Sequence, residues 1–284
     1  MTTQQTTASP ELTFNDGLTI PQLGYGVWQV EDDVAEVAVG KAFEAGYRHI
    51  DTAQIYGNES GVGRAVAASG LGRDDLFITT KLWNADQGYE STLAAFEGSM
   101  ERLGLETLDL YLIHWLQPKQ GKYVDTWKAL VELQKQGRVK SIGVSNFTIE
   151  ALQEIIEATG VVPAINQVET HPYFNQAGLR ASEAENGILH ESWSPLGQGQ
   201  GLLEDPVLQD IAAKRGATPA QVVLAWHLAL GNVVIPKSVT ESRIVENWEA
   251  LNVTLEAEDL EAINALDRGA KGRIGADPAT ADFA

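Results

Sequence analysis

The chain contains no cysteine. That removes disulfide frameworks, zinc–thiolate sites and thiol catalysis together. Positive charge is also scarce: 20 Lys and Arg stand against 39 Asp and Glu, a net of −19. Nucleic acid is gripped through a basic surface, so no nucleic-acid partner is expected; the acidic excess serves solubility. No apolar run is long enough to cross a bilayer. Met1–Pro10 is rich in Thr and Gln and lacks the basic and apolar regions of a signal peptide. A cytoplasmic, monomeric protein without a membrane partner is expected. The five histidines, His49, His114, His171, His190 and His227, show no metal-ligand spacing, so no metal is expected.

What is present is a repeating alternation of short apolar strands and helical patterns. Expected strands are Leu23–Trp28, Tyr47–Asp51, Leu76–Lys81, Leu108–His114, Ser141–Ser145, Ala164–Val168, Gly187–Trp193 and Asn232–Ile235. Helical spacing marks Val34–Ala45, stopped by Gly46, and Tyr123–Gln136, stopped by Gly137. Two further helices are expected late, at Pro219–Leu230 and Glu256–Asp267. Ahead of all this, Leu12-Thr13-Phe14 and Leu18-Thr19-Ile20 flank Asn15-Asp16-Gly17, a hairpin signal. Eight β-α units without a Pro-, Gly- or Ser-rich linker predict an α/β fold, a single (β/α)8 TIM barrel. The N-terminal hairpin precedes it, and extra C-terminal helices and loop follow. At 284 residues one domain suffices, spanning 11–284 after a disordered polar tail over 1–10. A doubly wound sheet would want a G-x-G-x-x-G after an early strand, and Gly61-Val62-Gly63 and Gly197–Gly201 are both misplaced for that. Gly269–Ala284 has no period and is expected to drape over one end.

Four polar residues fall at or just beyond strand ends: Asp51, Tyr56, Lys81 and His114. In a barrel of parallel strands all such ends meet on one face, where catalysis takes place. A Tyr can donate a proton to a carbonyl oxygen. A nearby Lys lowers its pKa from ~10, a carboxylate holds that Lys, and a His orients the substrate. Each residue alone has a plainer reading, as a packing Tyr, a snorkelling Lys, a capping Asp or a structural His. A second cluster, Lys237-Ser238-Val239-Thr240 with Arg243 and Asn247, begins at the eighth strand's end and runs into a helix. This is the usual anion site of such barrels.

The strings Gly46–Ala53, Tyr56-Gly57-Asn58-Glu59, Lys81-Leu82-Trp83, Asp109–Trp115, Gly143–Phe147, Asn166–Glu169, Ser194–Gly197 and Ile235–Ser238 resemble the aldo-keto reductases, in order, from about Leu12 to Asp267. Within that family the chain is most similar to bacterial 2,5-diketo-gluconate reductases. The resemblance implies that Asp51, Tyr56, Lys81 and His114 form a catalytic tetrad. It implies that Ser145, Asn146 and Gln167 hold the nicotinamide carboxamide and that Trp193 stacks on its ring, where the family usually has Tyr. Ser194, Leu196 and Gly197 would strap the pyrophosphate. Lys237, Ser238, Val239, Thr240 and Arg243 would clamp the 2′-phosphate, and Asn247 would contact the adenine, favouring NADPH. Trp28, Trp83 and Trp115 would line the substrate pocket. The implied activity is NADPH-dependent reduction of an aldehyde or ketone. The substrate could be 2,5-diketo-gluconate or a related keto-sugar acid, or a range of aldehydes and methylglyoxal. A cofactor-binding regulatory or structural protein with little turnover is the alternative of another class. One departure stands out: Leu116-Gln117-Pro118 follows Trp115, where the family commonly has Pro directly after His-Trp.

Overall fold

The structure, a computed structural model, describes residues 8–283. Most of the tail expected over 1–10 thus lies outside the described residues. Its last two residues are tied down: Ser9 Oγ accepts from Leu23 N at 2.9 Å and the Pro10 carbonyl accepts from Gln22 N at 2.8 Å.

A two-stranded antiparallel hairpin comes first, β1 (Glu11–Thr13) and β2 (Thr19–Pro21). Eight parallel strands follow: β3 (Tyr25–Gly26), β4 (His49–Asp51), β5 (Phe77–Leu82), β6 (Leu108–Ile113), β7 (Val139–Ser145), β8 (Ile165–Glu169), β9 (Leu189–Trp193) and β10 (Val233–Val234). They pair strictly in chain order from β3 to β10. The ends then meet: Gly24 N donates to the Val234 carbonyl at 2.9 Å, Val234 N to the Gln22 carbonyl at 2.9 Å, and Gly26 N to the Pro236 carbonyl at 3.1 Å. These bonds close the sheet on itself, which removes both edges. The expected (β/α)8 barrel is therefore formed, and the doubly wound sheet is not.

The first and last barrel strands are shorter than the expected Leu23–Trp28 and Asn232–Ile235, because at this seam the ladder is carried by isolated bonds. The helices around the barrel include α1 (Asp32–Ala45), α2 (Glu59–Ala68), α3 (Tyr89–Leu103), α4 (Tyr123–Lys135), α5 (Ile149–Thr159) and α6 (Ala177–Glu185). Toward the C-terminus lie α7 (Pro206–Arg215), α8 (Pro219–Ala229), α9 (Glu241–Trp248) and α10 (Ala257–Asn264). Gly46 ends α1 as expected. Its N–H bonds the Ala42 and Phe43 carbonyls at φ 121°, and a Cβ there would sit 2.6 Å from the Trp248 ring. No helix among the described residues is long and apolar enough to cross a membrane.

Strand alternation decides what fills the barrel. The hairpin brings Phe14 and Ile20 beneath it, where they pack with Leu110, Leu112, Ile165 and Val233. Each such burial contributes roughly 1.5–3 kcal/mol. One step higher on the same inward faces the residues turn polar. β4 presents His49 then Asp51, β5 Thr79 then Lys81, β8 Gln167, and β9 Glu191. An apolar floor thus supports a polar layer directed at the C-terminal face. Across that face runs the segment after α10, a short 3-10 turn at Gly269–Gly272 followed by irregular chain. The expected draping tail is a strap over the barrel mouth.

Candidate active site

The tetrad converges. Lys81 Nζ lies 2.6 Å from Asp51 Oδ1 and 2.9 Å from the Thr52 carbonyl, and 5.1 Å from the Tyr56 ring centre. Tyr56 sits in a 3-10 turn, Gln54–Tyr56, directly after β4. The ring of His114 meets Tyr56 edge to face at 5.6 Å and Trp83 at 5.3 Å. Lys81 is fully buried and Asp51 is 2% exposed. A buried charge is tolerable only when paired and hydrogen-bonded, and this pair satisfies both conditions.

The electrostatics divide the roles. Burial pulls the Lys81 ammonium toward losing its proton, but the charge and hydrogen bond of Asp51 oppose this, and Lys81 stays above its ordinary value. Burial pushes the Tyr56 phenol up, opposed by the Lys81 charge, so Tyr56 keeps its proton through the neutral range. Burial, then Lys81, holds His114 well below the usual imidazole range. His114 is therefore a neutral hydrogen-bonding group.

Behind the tetrad the carboxamide-binding candidates form one network. Ser145 Oγ donates to the Gln167 carbonyl at 2.7 Å. Asn146 Nδ2 donates to the His114 carbonyl at 2.9 Å and to Ser145 Oγ at 3.0 Å. Asn146 Oδ1 accepts from Trp193 Nε1 at 2.9 Å. With Trp in place of Tyr at 193, the indole N–H thus fixes the orientation of the neighbouring amide. Gln167 Nε2 donates to Asp51 Oδ2 at 2.9 Å.

A cavity of about 780 Å³ opens beside these groups, bordered by Asp51, Tyr56, His114, Ser145, Asn146 and Gln167. Trp28, Trp83, Trp115 and Trp193 border it too, as do Ser194, Leu196 and Lys237. Gly197 is buried just behind, at φ 70°, with Leu202 against the position of a Cβ at 3.0 Å. Ser238, Val239, Thr240, Arg243 and Asn247 do not border the cavity. They continue from Lys237 along the loop into α9, where Ser238 Oγ accepts from Thr240 N at 3.1 Å and Asn247 is 5% exposed. Lys237 and Arg243 are exposed and form no salt bridge among the described residues. Arg64, Arg102, Arg138 and Arg215 are each paired with a carboxylate. In so acidic a chain, two unpaired cations beside a helix N-terminus fit a phosphate group. The cavity reaches from the tetrad to Lys237, and Arg243 follows on the adjoining helix; that arrangement fits a dinucleotide phosphate. No cluster able to hold a metal occurs among the described residues.

Three contributions escaped the sequence reading. Phe283 borders the cavity, 5.0 Å from the Trp115 ring and 6.2 Å from that of Trp83, and its carbonyl accepts from Asn84 Nδ2 at 2.9 Å. Glu169, 2% exposed, pins the strap by accepting from Ile274 N at 2.5 Å and Gly275 N at 2.7 Å. Gly275 must lack a side chain, since a Cβ would lie 2.6 Å from the Trp193 ring. Glu191, fully buried, is the third. As for the departure after Trp115, the chain turns at Gln117 in the left-handed region, φ 49°, while Leu116 is buried in the core.

Residues 21–268 match the model of the Aldo/keto reductase family. An aldo-keto reductase of Mycolicibacterium smegmatis is 54% identical over 275 residues, 97% of this chain and 99% of that protein. The methylglyoxal reductase DkgA of Escherichia coli is 50% identical over 264 residues, 93% of this chain and 94% of that protein. Among solved structures, a Gox0644 mutant in complex with NADPH superposes with TM-score 0.93 at 51% identity, covering 97% of this chain and 100% of that one. An aldo/keto reductase of Brucella melitensis gives TM-score 0.90 at 52% identity, covering 93% and 100%. The chain belongs to the aldo/keto reductase family, oxidoreductases that act on the carbonyl/CH-OH couple with NADPH.

Proposed function

We propose that this chain reduces small, uncharged aldehydes and dicarbonyls, methylglyoxal among them, to alcohols with NADPH. The observation that carries the reading is the composition of the cavity. One end holds a protonated Tyr56 beside a buried Lys81–Asp51 pair. The mouth is walled by Trp28, Trp83, Trp115 and Phe283. Among the described residues, Lys237, beyond the reacting end, is the cation that borders the cavity, and Lys81 lies fully buried beneath Tyr56. A keto-sugar acid such as 2,5-diketo-gluconate brings a carboxylate for which this aromatic mouth, among the described residues, offers no cationic partner. The methylglyoxal reductase activity named for the Escherichia coli relative agrees with the uncharged choice.

NADPH, when bound, supplies the hydride. The protein's own groups do the rest. Lys237 and Arg243 would hold the 2′-phosphate, Ser194 and Leu196 the pyrophosphate, and Ser145, Asn146 and Gln167 the carboxamide, and Trp193 would offer the nicotinamide an aromatic surface. His114, neutral, donates a hydrogen bond to the carbonyl oxygen and orients it. Tyr56 gives its proton to that oxygen, and the nearby Lys81 ammonium stabilises the phenolate left behind. Asp51 keeps Lys81 charged. The aromatic wall and the strap exclude water from the reacting carbon.

The test is the specificity constant for methylglyoxal, a simple aldehyde and 2,5-diketo-gluconate, with NADPH and with NADH. The reading expects the uncharged substrates to exceed the sugar acid by at least tenfold, with NADPH preferred. A sugar acid turned over better than methylglyoxal would overturn the substrate choice, and no turnover despite NADPH binding would favour a regulatory or structural role.

A further inference from the structure

The polar layer of the barrel holds an acidic group for which the mechanism has no use. Glu191, on β9, is completely buried. Its Oε2 accepts from Gln167 Nε2 at 2.9 Å, and that same nitrogen donates to Asp51 Oδ2 at 2.9 Å. One amide group therefore bridges two carboxyls. Among the described residues one cation serves them: Lys81, held 2.6 Å from Asp51. Oε1 of Glu191 has no hydrogen-bond partner and faces Nε2 of His49 at 3.8 Å. The other titratable groups around it are Asp51, Lys81 and Tyr56. Burial lowers His49 to about 3, so the imidazole is neutral and offers no charge.

Two buried carboxyls sharing a single cation cannot both ionise cheaply. Asp51 has the direct ion pair, so the proton stays on Glu191. A carboxylate oxygen with no donor, sealed from water, would be costly; the same oxygen carrying a proton is uncharged. We propose that Glu191 is a positioning residue of this reductase, a carboxylic acid kept neutral at the base of the site so that Lys81 remains directed at Asp51 and Tyr56 stays acidic enough to donate. Physical chemistry supports the geometry: burial, and then the charge of Asp51, pushes Glu191 up to about 8. Once Glu191 ionises, its charge raises the Tyr56 pKa, which makes Tyr56 a poorer acid.

The consequence is an alkaline limit to carbonyl reduction that belongs to Glu191 and not to Tyr56. This inference rests on the proposed reductase activity, so its test has one arm free of catalysis. In the first arm, kcat for methylglyoxal with NADPH is followed from pH 6 to 10 for the native chain and for Glu191→Gln, whose amide has the same shape and cannot ionise. Whatever its rate near pH 6.5, the native enzyme is expected to lose roughly threefold to tenfold between pH 7 and 9, with KM little changed. Glu191→Gln is expected to lose less than twofold over that range. Parallel profiles would overturn the proposal. In the second arm, the infrared carbonyl band of a protonated carboxylic acid is followed in the native chain alone. The band is expected at pH 7 and is expected to fade as the pH rises through about 8. Its absence at pH 7 would overturn the proposal whether or not the variant folds. An inactive enzyme that shows this titration would contradict the reductase reading and leave the proton on Glu191 standing.

Discussion

Replacing Lys81 by Met separates the electrostatic account from simple packing. Met fills about the same volume as the Lys stem but removes the ammonium. Asp51, 2% exposed, then keeps Gln167 Nε2 at 2.9 Å as its side-chain partner and loses the 2.6 Å contact to Lys81. Breaking a buried ion pair on one side costs about 3–5 kcal/mol, because the remaining charge is uncompensated. At about 2–4 °C per kcal/mol for a large domain, the melting temperature should fall by roughly 6–20 °C at pH 7. The sign of the pH dependence follows. Without Lys81, burial holds the folded-state pKa of Asp51 above its unfolded value, the direction that burial already drives it. Such a group lends stability below the unfolded pKa and loses it as pH rises through the folded one. The deficit should therefore shrink on going from pH 7 toward pH 4.5. Adding Asp51→Asn to Lys81→Met neutralises the orphan and should recover most of the lost stability, without recovering activity. Urea unfolding of the native chain, the single variant and the double variant at two pH values measures all of this. A single variant as stable as the native chain, or a double variant no better than the single, would refute the reasoning.

Lys237→Ala with Arg243→Ala should weaken NADPH binding about a hundredfold, roughly tenfold for each lost charge-assisted contact, while NADH changes by less than threefold; fluorescence titration decides, and equal losses would deny a 2′-phosphate clamp. Phe283→Ala removes the strap's ring from between Trp83 and Trp115, and should raise KM for methylglyoxal several-fold with NADPH affinity unchanged. An unaltered KM would mean that the strap does not shape the substrate end.

Local signals in the sequence reached a long way, and their limits have a physical cause. Asp51, Lys81 and His114 were legible because each ends an apolar run, and parallel strands bring such ends together. The hairpin was legible because Asn15-Asp16-Gly17 forces a turn, with Gly17 at φ 89°. Gly46 and Gly137 marked real helix ends. What stayed hidden depends on contacts across long stretches of chain. Phe283 meets Asn84 from 199 residues away and Gly275 meets Glu169 from 106, and no periodicity encodes such pairs. Glu191 was masked differently. In Leu189-His190-Glu191-Ser192-Trp193 it reads as the middle one of three successive polar residues, and only barrel closure shows that its face points at Asp51 and not at water. The seam strands β3 and β10 came out short for a related reason, since their pairing is set by closure and not by composition.

The most direct test of the account is single-turnover reduction of methylglyoxal by the native chain and by Tyr56→Phe, with NADPH affinity measured alongside by fluorescence. Phe keeps the ring that packs against His114 at 5.6 Å, so the variant should fold and bind NADPH within about twofold. Its rate of reduction should fall by roughly 10²–10⁴, the range for loss of a general acid. A Tyr56→Phe enzyme that reduces methylglyoxal within a few-fold of the native rate would contradict the assignment of Tyr56 as the proton donor, and with it the chemistry derived for this site.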